Sequence, residues 1–360
     1  MKAGILMVQT PVTGIMTSIP LFPAGKLGQT FCNILIFCVV AGFIFPQASP
    51  AAPYYANKVV RIVSGSEPGG NYDRMARLLA KHLPKHIPGK PTIIIENMPG
   101  AGSLIAANYL YNQPPDGLTI GAPQRGIPIA HLTKAKGVKY DVMKFEWIGS
   151  ASVEPMVFAV RASLPVKNIN DLRTVKEAIF VPGAGPGASD YQFTYLLKEF
   201  LGLNIKSITY PSGTAGRLAF QRNEVDAIAG SYSTVKAFID QGGMVRLLLR
   251  SNVSEPGIEN LPVDEDNAKD QKGKIIMSMR AATDRIARPY IAPPGTPANV
   301  MKILREAFAG VTKDKALIEE SKRFNISVQY ITRDECLKTL KYMFNQPDEI
   351  IREFGKYVQF

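Results

Sequence analysis

Short apolar runs alternate with segments of helical periodicity along most of the chain after residue 55. The apolar runs predict strands at Val59–Val63, Thr92–Glu96, Leu118–Ala122, Trp147–Ala151, Met156–Val160, Ala178–Val181, Ser207–Tyr210, Ala227–Gly230 and Val245–Leu249. Apolar residues three or four positions apart predict helices at Asp73–Leu83, Ser103–Tyr111, Ile169–Leu172, Ser189–Leu201, Thr214–Arg222, Thr234–Gln241, Ala298–Gly310 and Lys315–Phe324. This alternation predicts an α/β protein in which helices cover both faces of parallel sheets.

The stretch Ser251–Lys274 interrupts the alternation. It is polar, partly acidic and rich in turn-forming residues, which predicts a surface connection. The chain has 360 residues, more than a single core usually holds, so two lobes are expected. A change of lobe is predicted near Glu154-Pro155, with a return between residues 270 and 290.

The N-terminal segment has a different pattern. Lys26 precedes an apolar run from Phe31 to Phe45, and the small-residue sequence Ser49-Pro50-Ala51 follows. These are the features of a secretory signal peptide, so residues 1–52 are predicted to direct export and to be removed near Ala51. The long segment before the run makes Met16 a second candidate start. An uncleaved membrane anchor is the alternative, although an apolar run of about 15 residues is short for a spanning helix.

The charge of the chain restricts its partners only broadly. The sequence has 42 Lys and Arg against 30 Asp and Glu, a formal charge of +12, and loss of residues 1–52 would remove two lysines and no acid. A basic protein can bind nucleic acid, an anionic membrane or an anionic small molecule. Because the basic residues are dispersed and export argues against nucleic acid, we expect a basic soluble surface, an anionic ligand, or both. Only Cys336 would remain after cleavage, which excludes a disulfide within the mature chain.

A glycine-rich turn precedes the first predicted helix. Pro68-Gly69-Gly70-Asn71 follows the first predicted strand, and either Asn71 or Asp73 can cap the helix. Glycines before a helix leave backbone N–H groups accessible to an anion, which makes Gly69, Gly70 and Asn71 candidate ligand-binding residues. The alternative is an ordinary strand-to-helix turn. Asp73 is a candidate to orient the loop or to bind an amino or hydroxyl group, because its carboxylate would repel an anion.

Three motifs in order, PGGNYDRMAR, ENMPGAGSLIAANYL and PPDGLTIG, resemble the receptors of the tripartite tricarboxylate transporters, and ARPYIAPPGTP at residues 287–297 extends the resemblance. The positions that fit the family pattern are Pro68, Gly69, Gly70, Asp73, Ala76, Arg77, Asn97, Pro99, Gly100, Ala101 and Gly102. The resemblance implies a periplasmic binding protein fold of type 2, with two α/β lobes and a ligand cleft between them. Residues 53–154 and 275–360 would form lobe 1, and residues 155–274 would form lobe 2.

The same resemblance implies a function. Members of this family, which includes the Bug proteins, are periplasmic solute-binding receptors that deliver a small carboxylate to membrane permease subunits. A monomer without cofactor or metal is expected. The family's later Trp-Tyr-Gly motif is replaced here by MSMRAATDRIARPY, so the ligand does not follow from the resemblance.

A second glycine loop lies within FVPGAGPGASDYQFTYLLKEF, residues 180–200. Its Gly183-x-Gly185-x-x-Ala188 pattern fits a dinucleotide fingerprint, but the next strand, in KSITYPSGTAG, has no acid to hold a ribose hydroxyl. The loop resembles the Gly/Ser turn of the receptor family, which makes Gly185, Gly187 and Ser189 candidate ligand-binding residues. Ser189 can instead cap the helix. Gln192 stands where the family usually has His.

Further candidate ligand-binding residues lie in three other segments. Ser212 and Gly213 in YPSGTAG, and Asp226 in NEVDAIAGSY, match the receptor family in outline and are expected near the cleft; Asp226 can instead cap a turn. Arg125 follows the predicted strand Leu118–Ala122. Its guanidinium can pair with a ligand carboxylate through two hydrogen bonds, or it can be a solvated loop arginine.

Catalytic chemistry has little support in the sequence. The histidines are His82, His86 and His131, and no Gly-x-Ser-x-Gly elbow is present. No nearby carboxylate or cysteine in the sequence completes a metal site with His82 and His86, so both are interpreted as surface residues. We therefore expect a binding protein without catalytic residues. An α/β enzyme that acts on a small anionic substrate in the same cleft, and a solute-binding sensor component, are the alternatives.

Overall fold

The computed structural model describes residues 52–358. The predicted signal peptide, its cleavage site and the candidate start at Met16 therefore lie outside the described residues. Within residues 52–358, no helix is both long and apolar enough to span a bilayer.

Strands and helices alternate through the first two thirds of the described chain. The strands are β1 Val59–Ser64, β2 Thr92–Asn97, β3 Thr119–Ala122, β4 Glu146–Ser150, β5 Met156–Arg161, β6 Ile179–Gly183, β7 Ile205–Thr209, β8 Ala227–Ser231, β9 Val245–Arg250, β10 Pro289–Ala292 and β11 Ile331–Thr332. The α-helices are α1 Asn71–His82, α2 Leu104–Tyr111, α3 Ile127–Leu132, α4 Asp171–Thr174, α5 Ser189–Leu201, α6 Gly213–Gln221, α7 Tyr232–Asp240, α8 Gln271–Ala282, α9 Ala298–Val311, α10 Lys315–Lys322, α11 Arg333–Phe344 and α12 Asp348–Tyr357.

The larger sheet has the strand order β11-β4-β10-β3-β1-β2. β1 pairs in parallel with β2 and β3, whereas β10 is antiparallel to both β3 and β4, and β11 is antiparallel to β4. The expectation of purely parallel sheets is therefore wrong. The first four strands share one direction, and the two strands that the chain adds after its return from the second lobe run the opposite way.

The second lobe also mixes strand directions. β5 lies between β8 and β9 and is antiparallel to both, while β6 and β7 form a parallel pair. The Asp226 N–H donates to the Phe180 carbonyl at 2.9 Å, which joins the start of β8 to β6. The two sets of strands, with the helices that cover them, form two α/β lobes.

Two chain segments that cross between the lobes, residues 151–155 and 283–288, are bonded to each other. The Ala151 N–H donates to the Arg288 carbonyl at 3.0 Å, and the Glu154 N–H donates to the Asp284 carbonyl at 2.9 Å. The side chains of Arg288 and Glu154 form a buried ion pair at 2.6 Å. These bonds join the two crossing segments to each other where the chain passes between the lobes.

The C-terminal part of the chain contributes to both lobes. Leu304 of α9 lies in the core beneath the larger sheet with Ile62. Phe354 of α12, in contrast, lies in the core that contains Phe193 and Leu196 of α5. The lobe boundaries remain a prediction, but α12 packs against the helices of residues 155–274, whereas the sequence placed all of residues 275–360 on lobe 1.

The sequence pattern missed β10, β11, α3, α8, α11 and α12. Helix α8 begins inside the segment that predicted a surface connection, because the Asp270 carboxylate caps it by accepting from the Gly273 N–H at 2.7 Å. Helix α11 has a capping box in which Thr332 and Glu335 bond reciprocally. The sequence carries this signal as Thr332-x-x-Glu335.

His82 and His86 connect α1 and the short helix after it to the region of α10. His82 Nε2 lies 2.8 Å from the Glu320 carboxylate, and His86 Nε2 lies 3.0 Å from the Asp314 carboxylate. The interpretation as surface residues is wrong for His82, which is buried. Each imidazole meets a different carboxylate, and within residues 52–358 no group of three or more metal-ligating side chains is assembled.

The hydroxyl of Ser103 joins the ends of the strands that carry the first glycine loop. Ser103 Oγ donates to the Gly65 carbonyl just after β1 at 2.6 Å and accepts from the Gln124 N–H just after β3 at 3.0 Å. A Cβ added to Gly65 would lie 1.9 Å from this Oγ. The close approach requires glycine at position 65.

We predict that Gly65→Ala destabilises the fold by about 1–3 kcal/mol, because the added methyl group forces Ser103 out of its two hydrogen bonds. Urea unfolding followed by circular dichroism measures the change. Gly355→Ala is the matched control, since a Cβ there meets only ordinary contacts with Thr133 at 3.7 Å and Ala favours a helix. Equal stability of the two variants would contradict the role assigned to the Ser103 hydroxyl.

Candidate functional site

A cavity of about 580 Å³ lies between the lobes, at the ends of strands and the beginnings of helices. Most of the candidate residues from the sequence line it: Gly69, Gly70, Asn71, Arg125, Gly185, Gly187, Ser189, Ser212 and Gly213. Asp73 and Asp226 do not belong to this lining. The position is the one at which open α/β sheets bind ligands.

The first glycine loop presents an uncapped helix end to the cavity. Helix α1 begins at Asn71 with Gly70 as its N-cap, and within the described residues no side chain caps it. The expectation that Asn71 or Asp73 caps this helix is therefore wrong, because the helix begins earlier than the hydrophobic pattern indicated. Gly69 has φ +78°, a conformation that glycine adopts without strain.

Asp73 supports this loop from behind. Its carboxylate accepts from the Gly69 N–H at 2.8 Å, from Asn97 Nδ2 at 2.8 Å and from Arg77 Nε at 2.9 Å. Burial favours the neutral form, but the bonds from Arg77, Gly69 and Asn97 outweigh it and lower the pKa of Asp73. The side chain is buried and orients the loop, which was one of the roles predicted for it.

The second glycine loop presents another uncapped helix end. Helix α5 begins at Ser189 with Ala188 as its N-cap, which makes no side-chain cap bond, and within the first turn the Asp190 carboxylate accepts from the Tyr191 N–H at 2.8 Å. Ser189 therefore does not cap the helix and lies in the cavity lining. Gln192 Nε2 donates to the Pro186 carbonyl at 3.1 Å. The residue that replaces the family's histidine thus holds the loop in place.

The remaining candidates have structural partners. Ser212 caps α6, since its Oγ accepts from the Ala215 N–H at 3.1 Å. The Asp226 carboxylate accepts from the Phe180 N–H at 2.9 Å, away from the cavity. Gly213 is the first residue of α6 and lies in the lining.

Arg125 is buried, so the alternative that it is a solvated loop arginine is wrong. Its Nη1 lies 2.9 Å from the Asp284 carboxylate and donates to the Glu154 carbonyl at 2.7 Å, and its Nη2 donates to Ser231 Oγ at 3.2 Å. Burial opposes the charged form, but Asp284 outweighs this together with weaker contributions and raises the pKa of Arg125. Its Nη1 is occupied by the two crossing segments, and the residue also belongs to the lining of the cavity.

A sequence model of the tripartite tricarboxylate transporter family receptor matches residues 75–356. The chain belongs to this receptor family. The match confirms the resemblance inferred from the glycine motifs.

Relatives of this receptor align with most of its chain. A UPF0065 protein of Bordetella pertussis is 26% identical over 321 residues, which is 87% of this chain and 94% of the relative. The solved periplasmic binding protein BugD is 22% identical with a TM-score of 0.65, covering 85% of this chain and 99% of BugD.

Two other solved structures of similar fold are complexes with a small carboxylate. A Rhodopseudomonas palustris protein with adipate has a TM-score of 0.64 and 19% identity, and MatC from the same organism with bound malate has a TM-score of 0.61 and 20% identity. Each comparison covers 84% of this chain and 99% of the other. Together with BugD, these likenesses confirm the periplasmic binding protein fold.

The receptor's cavity also contains residues that the sequence did not indicate. Arg74, Arg217, Arg288, Glu154 and Asp190 line it. The loop motifs draw attention to glycines, and only the fold shows that the first turns of α1 and α6 open onto one space. Asn71 Nδ2 donates to Thr234 Oγ1 at 3.3 Å and joins α1 to α7 of the other lobe.

We predict that Asp73→Asn destabilises this receptor by about 1–3 kcal/mol at neutral pH, because an amide presents a donor to the donors of Gly69, Asn97 and Arg77. The difference should narrow below about pH 4. A carboxylate with a lowered pKa stabilises the fold above its unfolded-state pKa and loses this contribution as pH falls through its folded-state value.

Urea unfolding over a series of pH values tests this prediction. Asp348→Asn is the matched control, because Asp348 also lies in the first turn of a helix but is exposed. A constant difference between Asp73→Asn and the unsubstituted protein across pH would contradict the ionised role of Asp73.

Proposed function

We propose that this protein is an extracytoplasmic receptor that captures a small carboxylate in the cavity between its lobes and delivers it unchanged to a tripartite membrane transporter. The observation that carries the proposal is the convergence on the same cavity of two helix N-termini, one from each lobe, whose N-cap residues Gly70 and Ala188 make no side-chain cap bond. A single anion between them would accept hydrogen bonds from both lobes.

Helix ends of this kind suit a carboxylate for two reasons. The N–H groups of a first helical turn have no partner within the helix, and the helix dipole places partial positive charge there. On one side the first turn of α1, which begins at Asn71, supplies such groups, because the Gly69 N–H is bonded to Asp73 and the Gly70 N–H to the Glu67 carbonyl. On the other side Gly185, Gly187 and Ser189 line the cavity. Glycines at these positions allow the ligand to approach the backbone closely.

The proteins of similar fold give this proposal further support. Adipate and malate, which accompany two of them, are both small dicarboxylates. For this chain, a carboxylate ligand fits the uncapped helix ends and the basic side chains of the cavity. Closure of the lobes around the ligand would present a changed surface to the permease subunits.

The location and assembly of the protein complete the proposal. Residues 1–52 act as a signal peptide, and the mature chain works in the periplasm as a monomer without cofactor. Membrane permease subunits are its protein partners. The family supports a receptor, and the absence of catalysis in the cleft is part of what we propose.

A thermal-shift screen of monocarboxylates, dicarboxylates, tricarboxylates and amino acids tests the proposed function. We predict that at least one carboxylate binds one per chain, stabilises the fold by about 2.7 kcal/mol at 100 times its dissociation constant, and is recovered unchanged. Calorimetric titration gives the stoichiometry, and mass spectrometry of the recovered ligand tests for conversion.

Gly70→Val makes the same experiment specific to the proposed site. Gly70 has φ −70°, which valine can adopt, and an added Cβ would lie 3.3 Å from the Glu67 carbonyl, a contact that a small shift relieves, while the valine side chain obstructs the N-terminus of α1. The variant should fold, as judged by circular dichroism, and lose binding of the carboxylate. Chemical conversion of the ligand would favour the enzyme alternative, and full affinity in folded Gly70→Val would remove the first glycine loop from the site.

A further inference from the structure

Four arginines line the cavity, and they fall into two pairs with different surroundings. Arg125 lies 2.9 Å from Asp284, which also pairs with Arg280 at 2.6 Å, and Arg288 lies 2.6 Å from Glu154; both cavity arginines are buried and each is paired with a carboxylate. Arg74 and Arg217 are exposed, and within residues 52–358 neither forms an ion pair. Arg217 Nη2 donates to Thr214 Oγ1 at 2.9 Å, and both arginine side chains keep further donors for an anion.

These two arginines come from opposite lobes and meet at one place. Arg74 lies in the first turns of α1, and Arg217 lies in α6. Both line the cavity of about 580 Å³ and also a smaller adjoining cavity of about 150 Å³. Asn71 and Thr234, which are bonded to each other across the lobes, likewise line both cavities. The arginines therefore lie at the junction of the two cavities.

The electrostatics show that the two guanidinium groups interact. Partial loss of solvent in the cavity wall and then the positive charge of Arg74 lower the pKa of Arg217, while Asp190 opposes them. Asp190 attracts Arg217, but burial raises the pKa of this carboxyl and one of its oxygens accepts from the Tyr191 N–H at 2.8 Å. Glu67, another acid of the lining, is exposed. An anion between Arg74 and Arg217 would relieve the repulsion between them.

We propose that Arg74 and Arg217 together bind a second anionic group of the ligand at the junction of the two cavities, and that the receptor selects small molecules with two acidic groups. The inference rests on the proposed function, in which the glycine loops hold the first carboxylate. An arginine binds a carboxylate through charge-assisted hydrogen bonds, and two arginines from different lobes couple this binding to closure.

The inference makes the two ends of the ligand unequal. The first carboxylate is held by backbone groups that no substitution of a side chain removes. The second is held by two side chains that can be neutralised singly. A diacid and its monomethyl ester differ in the second charge and in one methyl group, so the change in their ratio of dissociation constants on substitution of Arg74 or Arg217 reports the contribution of these arginines.

Calorimetric titration with straight-chain dicarboxylates from succinate to suberate, each beside its monomethyl ester, tests the inference. In the unsubstituted protein, the tightest diacid should bind at least about tenfold more tightly than its ester. Arg74→Gln and Arg217→Gln should each reduce this ratio to about threefold or less, because one of two charge-assisted contacts is lost. Arg352→Gln removes the same charge from an exposed position on α12 and is the matched control.

Two results would overturn the inference and leave the proposed function standing. One is an ester that binds the unsubstituted protein as tightly as its diacid; the other is a ratio that neither substitution changes. Binding of monocarboxylates without any dicarboxylate would have the same meaning. If no member of the series and no other carboxylate binds, the proposed function fails as well.

Discussion

The structure depends on a set of buried ion pairs where the chain crosses between the lobes. Arg125 pairs with Asp284 and Arg288 pairs with Glu154, while backbone bonds join the two crossing segments. Removal of Glu154 would leave Arg288 as an unpaired buried charge, which typically costs about 3–5 kcal/mol. Arg125 also lies in the cavity wall, so the ion pair that joins the crossing segments also fixes a part of the wall that a ligand would contact.

The two glycine loops are held beside this part of the wall by side chains that do not line the cavity. Asp73 holds the first loop through Gly69, Ser103 joins the strand ends beneath it, and Gln192 holds the second loop through Pro186. The helices behind both loops begin without a side-chain cap in the described residues. A missing cap costs a helix about 1 kcal/mol, and a ligand carboxylate at these ends would offset that cost.

The sequence predicted the elements that carry a strong local signal. Helix α5 has the predicted bounds, and β1, β2 and β5 differ by one residue, because their apolar runs are long and bounded by turns. The four-residue strand β10 was missed, since it is defined by its pairing with β3 and β4, which lie far from it in the sequence. The loop glycines could be predicted because their motifs are local. The approach of Arg74 to Arg217, the partner of Arg125 and the role of Asp226 could not be predicted. Those depend on which segments the fold brings together.

The central claim is that one anion is shared by two helix ends from different lobes. Amide hydrogen exchange followed by mass spectrometry, with and without a saturating carboxylate, measures this directly. We expect slower exchange in residues 69–73 and 185–190 together, since both loops donate to the same ligand. Protection confined to one loop, or protection only at a different surface, would contradict it.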